Sequence, residues 1–315
     1  MGLANMTVER SDGSGFVASH DAPVSYMQRT REYYAALGYT VPYAWAHYRD
    51  VPFHPLRQPL AHSRIAIVTT AAPYRPGKGN QGPGAPYNAA AKFFSVRSGY
   101  VSEKYDLRIS HVAIDRKHTT AEDPGAYFPL PALLRTAECG RIGSVASRFH
   151  CLPTNRSQRT TLEIDCPELI SRCRADAIDA AILVPNCPIC HQSVSLTARE
   201  LEANGVSTVT VGCAKDIVEY AGVPRFLFSD FPLGNSAGKP RDEGSQNFTL
   251  ELALRILESA PAARTTVQSP LIWSENPDWK LDYCNVTRMS AEELERKREE
   301  FNRQKEVAKQ PRQAR

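Results

Sequence analysis

Short runs rich in apolar and β-branched residues, each followed by a stretch with apolar positions at helical spacing, recur through the second half of the chain. Ala180–Pro185 (AAILVP), Ser207–Gly212 (STVTVG) and Arg225–Phe231 (RFLFSDF) read as strands, because they are short, rich in β-branched or aromatic residues and bounded by turn residues. Between and after them, His191–Ala203 reads as an amphipathic helix stopped by Asn204-Gly205. Ala214–Tyr220 reads as a helix ended by Ala221-Gly222, and Gln246–Ser259 as one with an apolar face. The first half repeats the pattern less regularly. Arg64–Thr70 (RIAIVTT), Leu107–Ile114 (LRISHVAI) and Ser144–Phe149 are expected as strands, Pro129–Cys139 and Leu162–Ala175 as helices, with a Pro/Gly-rich loop over Pro73–Pro86. Strands apolar on both faces that alternate with helices specify an α/β fold with parallel sheets flanked by helices. The expectation is two Rossmann-like lobes with a cleft between them.

The pattern also divides the chain. Residues 1–25 are expected as a flexible arm and 26–63 as a wrap rich in Pro and aromatic residues, whose start is helical to about Gly38 and whose later prolines exclude regular structure. Residues 64–150 form the first expected lobe and 151–289 the second. Residues 290–315 form a charged helix with Glu-to-Lys/Arg spacings that suit a solvated face. The wrap and this helix are surfaces on which a homo-oligomer is expected.

Composition narrows the function classes. A 42% hydrophobic content in 315 residues supports a folded core, and a net charge of only +4 argues against a nucleic-acid partner. No run approaches the 18 apolar residues of a membrane span, and the polar N-terminal residues lack a signal core, so no membrane contact and a cytoplasmic location are expected. The eight cysteines are then read as mostly reduced.

Two of those cysteines stand apart. In Val184-Pro185-Asn186-Cys187-Pro188-Ile189-Cys190-His191, Cys187 and Cys190 lie between a parallel strand and the next helix. Ligands of open α/β sheets bind beyond the carboxyl ends of strands, and the positive end of a helix dipole favours thiolate over thiol. Cys187 is therefore a candidate nucleophile and Cys190 a candidate resolving thiol, acting on a small-molecule substrate. Competing readings are half of a zinc site completed by His191 and Cys213, a pair of inert buried thiols, and a thioredoxin-type exchange motif.

A second constellation, His111, Asp115, His118, Glu122 and Asp123, follows an expected strand end. His111 and Asp123 are its catalytic candidates. His111, His118 and Asp115 are the candidate ligands of a metal ion, although no named metal spacing is matched. A third segment, Phe231–Pro240, contains Gly234, Asn235, Ser236 and Gly238. It falls short of a P-loop because three residues, not four, separate the glycines and Pro240 follows Lys239. It is expected as a cleft loop in which those four residues, with His191, contact substrate.

Taken together, several segments resemble a known family. They are YYAALGYTVPYAWAHYRDVPFHPLRQPL, IAIVTTAAP, the His111–Pro129 stretch, GRIGSV, the strand and helix around Cys187–Cys190, TARELEANGVSTVTV, GVPRFLFSDFPLGNSAGKP and WSENPDWK. The chain is similar to the selenoprotein B subunits of the glycine, sarcosine and betaine reductases, and more closely to the D-proline reductase subunit of that superfamily. The resemblance implies a reductase that cleaves a carbon–nitrogen bond with a separate pyruvoyl-bearing partner subunit and a dithiol electron donor. It implies Cys187 at the position commonly held by selenocysteine, Cys190 as its resolving partner, and Asp123 as the acidic residue before the Phe-Pro pair. Sulfur in place of selenium, and Pro188 where the family has a small residue, are departures. They leave open a desulfurase acting on a thiocarbonyl compound, with or without a metal, and a non-catalytic thiol or zinc-binding subunit.

Overall fold

A computed structural model describes residues 22–313; most of the arm expected over 1–25 lies outside the described residues. The main sheet takes strands from both stretches expected to form separate lobes. In chain order the strands are β1 (Arg64–Thr69), β2 (Ala72–Pro73), β3 (Arg97–Tyr100), β4 (Leu107–Arg108), β5 (Ser144–Val145), β6 (Arg148–Cys151), β7 (Ala180–Val184), β8 (Ser207–Gly212), β9 (Arg225–Phe228) and β10 (Thr265–Gln268). The order across the sheet is β10-β9-β8-β7-β1-β6-β3, with β5 also beside β1. All neighbours are parallel except the edge strand β3, which runs antiparallel to β6. The expected cleft between two sheets is thus replaced by one sheet: β1 pairs directly with β7, from Ile65 opposite Ala180 to Thr69 opposite Val184.

Seven helices matter for the site: α1 (Tyr26–Ala36), α2 (Leu130–Glu138), α3 (Cys166–Ala175), α4 (Pro188–Ala203), α5 (Lys215–Ala221), α6 (Glu243–Ser259) and α7 (Ala291–Gln313). Because side chains alternate along a strand, each face of the sheet collects its own core. Ile65, Ile67, Ile182, Val184, Val209 and Leu227 face α2 and α6, whose Leu130, Leu133, Leu250, Leu254 and Leu257 cover them. Ala66, Val68, Ala181 and Leu183 face α3 and α4, through Leu169, Cys173, Val194, Ala198 and Leu201. Each fully buried Leu or Ile contributes about 1.5–3 kcal/mol, so these two layers hold the strand ends that carry the site.

Several elements depart from the sequence pattern. Leu107–Ile114 is not a strand: only Leu107–Arg108 pairs, antiparallel to β2. Ile109 and Ile114 are buried in a loop, so their apolar spacing reflects packing rather than pleating. Ser144–Phe149 is broken at Ala146-Ser147 into β5 and β6. Helix α4 begins at Pro188, three residues earlier than expected. Proline fits there because N1 needs no N–H and its φ is already helical.

The wrap is pinned along α4 at repeated intervals. Gln192 Oε1 accepts from the Ala46 N–H (2.7 Å) and Gln192 Nε2 donates to the Tyr43 hydroxyl. The Arg199 guanidinium lies 4.0 Å from the centre of the Tyr48 ring, and Glu202 accepts from the His54 N–H. Residues 190–198 are consequently all buried, and α4 is an inner layer although it flanks the sheet. Ser195 and Thr197 manage this by donating to the carbonyls of His191 (2.7 Å) and Ser193 (2.9 Å).

Candidate functional site

Five strand ends converge on the cysteine pair. In this strand order the chain leaves β1 for β6 on one side, then returns past β1 to β7 on the other. β1 and β7 therefore flank the topological switch point, where open α/β sheets hold ligands. At the end of β1, the Thr70 hydroxyl accepts from the Asn186 backbone N–H (3.0 Å) and from Asn186 Nδ2 (3.1 Å). This ties the two loops together one residue before Cys187. At the end of β6, Thr154 Oγ1 lies 3.2 Å from Cys190 Sγ. After β9, the Ser236 hydroxyl donates to the Pro185 carbonyl at 2.6 Å.

Cys187 and Cys190 form a disulfide, with Cα atoms 4.9 Å apart. Cys187 is extended and occupies the N-cap of α4. Its Sγ accepts from the Cys190 N–H at 3.2 Å, taking the place of a Ser or Asp oxygen. Cys187 is 5% exposed and Cys190 fully buried. The other six cysteines are free, and among them Cys139 is exposed. Burial pushes the thiols of Cys151, Cys166, Cys173 and Cys213 up to about 12, which makes them inert beside a helix-capping sulfur.

His191 is a brace rather than a surface group. Its Nε2 accepts from the N–H groups of Cys213 (2.9 Å) and Ala214 (3.1 Å), so the ring is neutral and Nδ1–H donates to the Cys187 carbonyl at 2.8 Å. Both ring nitrogens are spent on backbone that links the end of β8 to the start of α4. They are not directed at a substrate or at the zinc site considered with Cys213. Gly212 makes room for the ring, since a Cβ there would lie 2.8 Å from it.

Burial, only partly opposed by the Cys187 carbonyl, lowers the His191 pKa to about 4. An unfolded histidine titrates near 6.5, so the unfolded chain binds the extra proton between those values. The stability due to neutral His191 is complete above pH 6.5. It is lost as pH falls toward 4, by up to about 3 kcal/mol. Asp115 and Asp216, raised by burial to about 6, act in the opposite sense as pH rises from 3.8 to 6. We expect the urea midpoint of His191→Gln to depend less steeply on pH between 6.5 and 4 than that of the unsubstituted protein.

The remaining expected site residues separate into two groups. His111 stays with the site. It hydrogen-bonds the backbone of Thr70, its pKa is lowered to about 4 by burial and by Arg116, and its Nδ1 is buried without a partner. Asn186, which the sequence pattern did not single out, is fully buried, and its Oδ1 is likewise unpartnered. Asp123 is instead a structural cap. Oδ1 accepts from the Gly125 N–H (2.9 Å), and Oδ2 accepts from the Arg241 N–H and Gln246 Nε2 (2.7 Å each). Burial raises its pKa, but these donors outweigh it and hold the carboxyl below its ordinary range.

The metal expectation has no ligand set. Among the described residues, no group of three or more His, Cys, Asp or Glu side chains could hold an ion. His118 Nε2 sits 2.9 Å from Asp282 Oδ2, His111 turns to Thr70, and the Asp115 carboxylate takes the N–H groups of Lys117 and His118.

The Phe231–Pro240 loop is internal. Asn235 and Ser236 are buried, and Asn235 accepts from Thr119 Oγ1 (3.2 Å) and donates to the Pro232 carbonyl (3.1 Å). Gly234 and Gly238 adopt φ of +110° and +137°. A Cβ on Gly238 would lie 2.9 Å from Gln246 Cα, so both glycines serve the turn. The loop supports the carbonyl of Pro185 through the Ser236 hydroxyl.

Among the described residues no helix is long and apolar enough to cross a membrane. No family model matches the chain, and no solved structure matches it. Among curated proteins, the D-proline reductase subunit gamma of Acetoanaerobium sticklandii is 25% identical over 218 residues, covering 69% of this chain and 87% of the relative. The chain is therefore related, at the level of family, to the gamma subunit of D-proline reductase.

Proposed function

We propose that this chain is the thiol-bearing subunit of a reductase that cleaves a C–N or C–S bond of a small molecule, with Cys187 as nucleophile and Cys190 as resolving thiol. The observation that carries the reading is the cysteine pair at the N-terminus of α4, beside the β1/β7 switch point. In the reduced state, the helix N-terminus and the Cys190 N–H favour a thiolate on Cys187. That thiolate attacks a carbon next to an electron-withdrawing group and forms an S–C bond. The nitrogen or sulfur leaving group departs with the bonding pair and takes a proton. Cys190 then attacks Cys187 sulfur, the S–C bond breaks toward carbon, and that carbon takes a second proton. Two thiols and one C–N bond become one disulfide, one C–H and one N–H bond, and an external dithiol returns the two electrons.

His111 and Asn186 border this chemistry, each with a buried polar atom still able to accept a hydrogen bond, and are the groups that hold the substrate's polar end. A separate partner subunit bearing an activated carbonyl supplies the electron-withdrawing group. D-proline, from the name of the relative, is the first compound to assay.

The test is alkylation of the reduced, full-length chain by iodoacetamide across a pH series, read peptide by peptide. Cys187 is expected to react with an apparent pKa below the free-thiol value of about 8.5, and faster at pH 7 than the exposed Cys139. If Cys139 reacts first at every pH, Cys187 is not an activated thiolate and the reading fails.

A further inference from the structure

A cavity of about 550 Å³ lies outside the thiol site, between α1, residues 39–45 of the wrap and α7. That is the size of a small-molecule pocket. Its walls are aromatic and mutually braced. Phe301 packs edge-to-face on Tyr34 (centroids 5.4 Å apart) and Tyr39 (5.3 Å), and Tyr43 packs on Trp45 (4.9 Å). The two helices are locked together above it, because Arg298 of α7 donates to the carbonyls of Leu37 (2.9 Å) and Ala36 (3.2 Å).

The polar lining has one sign. Arg31, Arg156 and Lys305 border the cavity, and among the described residues no Asp or Glu does. The Arg156 guanidinium stands 5.3 Å from the Tyr34 ring centre and 5.8 Å from that of Phe301, and Lys305 Nζ stands 5.5 Å from that of Tyr39. Arg156 also hydrogen-bonds the Tyr34 hydroxyl, which fixes the guanidinium while its remaining N–H groups can take a carboxylate. Rigid aromatic walls with uncompensated positive charge at the rim match an anion with a flat apolar body.

We propose that this cavity is a binding site for a small aromatic carboxylate. Apolar contact with Tyr34, Trp45 and Phe301 holds the ring, and Arg156 with Lys305 holds the charged end. The site stands independently of the thiol chemistry.

Isothermal titration of the full-length chain with 1-naphthoate tests this, with neutral 1-naphthalenemethanol as the comparison. Saturable one-to-one binding of naphthoate is expected, at least about 10-fold tighter than the alcohol, with a change in tryptophan fluorescence that Trp45→Phe removes. Arg156→Gln is expected to weaken binding at least about 10-fold, and the exposed Lys305→Gln severalfold, without a shift in melting temperature. Equal affinity for acid and alcohol, wild-type affinity in both charge variants, or no binding at millimolar naphthoate would each overturn the proposal.

Discussion

Replacing Cys187 by serine is expected to lower reductive turnover by at least about 10³-fold while leaving the melting temperature that of the reduced, unsubstituted protein. The two halves of that result have separate causes. Serine is a preferred N-cap residue, and its hydroxyl can accept from the Cys190 N–H as Cys187 Sγ does at 3.2 Å. The start of α4 therefore survives. The hydroxyl, unlike a thiol, is not appreciably ionised near neutrality and cannot form the disulfide that completes the two-electron cycle. Cys190→Ser should differ in kind: the first bond is still cleaved, and the substrate carbon stays attached to Cys187, as an added mass on that peptide. The assay is dithiol-dependent product formation from D-proline and related amines in the presence of the partner subunit. Turnover by Cys187→Ser at more than a tenth of the unsubstituted rate would remove the thiol mechanism altogether.

The second large effect concerns stability. Glu202 and Arg225 form an ion pair at 2.7 Å with essentially no exposure on either side. Glu202 also accepts from the Thr208 hydroxyl (2.9 Å) and backbone N–H. Arg225 donates to the His54 carbonyl (2.9 Å) and lies 4.1 Å from the Phe53 ring centre. Glu202→Ala leaves the guanidinium buried without its counter-charge, which costs about 3–5 kcal/mol. That is a large share of the 5–15 kcal/mol typical of a folded domain. Glu202→Leu combined with Arg225→Met should recover only part of the loss. It removes the stranded charge but leaves the N–H groups of Thr208 and His54 without an acceptor. Urea denaturation of Glu202→Ala and of the double variant measures both effects. Equal midpoints for Glu202→Ala and the unsubstituted protein would show that the pair contributes nothing net.

The parallel strands were legible because strands buried on both faces carry no charge and favour apolar and β-branched residues, as AAILV and STVTVG do. Edge strands carry no such mark. Arg-Ser-Gly-Tyr at β3 has neither alternation nor branched residues, and it is a strand because β6 offers a free edge. Cys187 and Cys190 were legible because a strand end, a helix start and two thiols coincide in eight residues. Thr70, Thr154 and Asn186 were not, because what qualifies them is the convergence of three distant strand ends, and no local spacing encodes that. Asp123 and Asn235 show the converse. A carboxylate or amide in a polar loop looks available in sequence, yet in both residues the polar atoms are taken up by neighbouring N–H, O–H and carbonyl groups.

The belt of residues 43–54 that encloses α4 also sets an order of events during synthesis. Its partners lie far downstream: Tyr43 meets Gln192 across 149 residues, His54 meets Ser207 across 153 and Arg225 across 171. On a growing chain this stretch emerges well before α4, β8 and β9, and its contacts with Ser207 and Arg225 close only after those strands have been made. A segment made before its partners is thus closed only after them, and closing it completes the burial of the helix that carries the thiols.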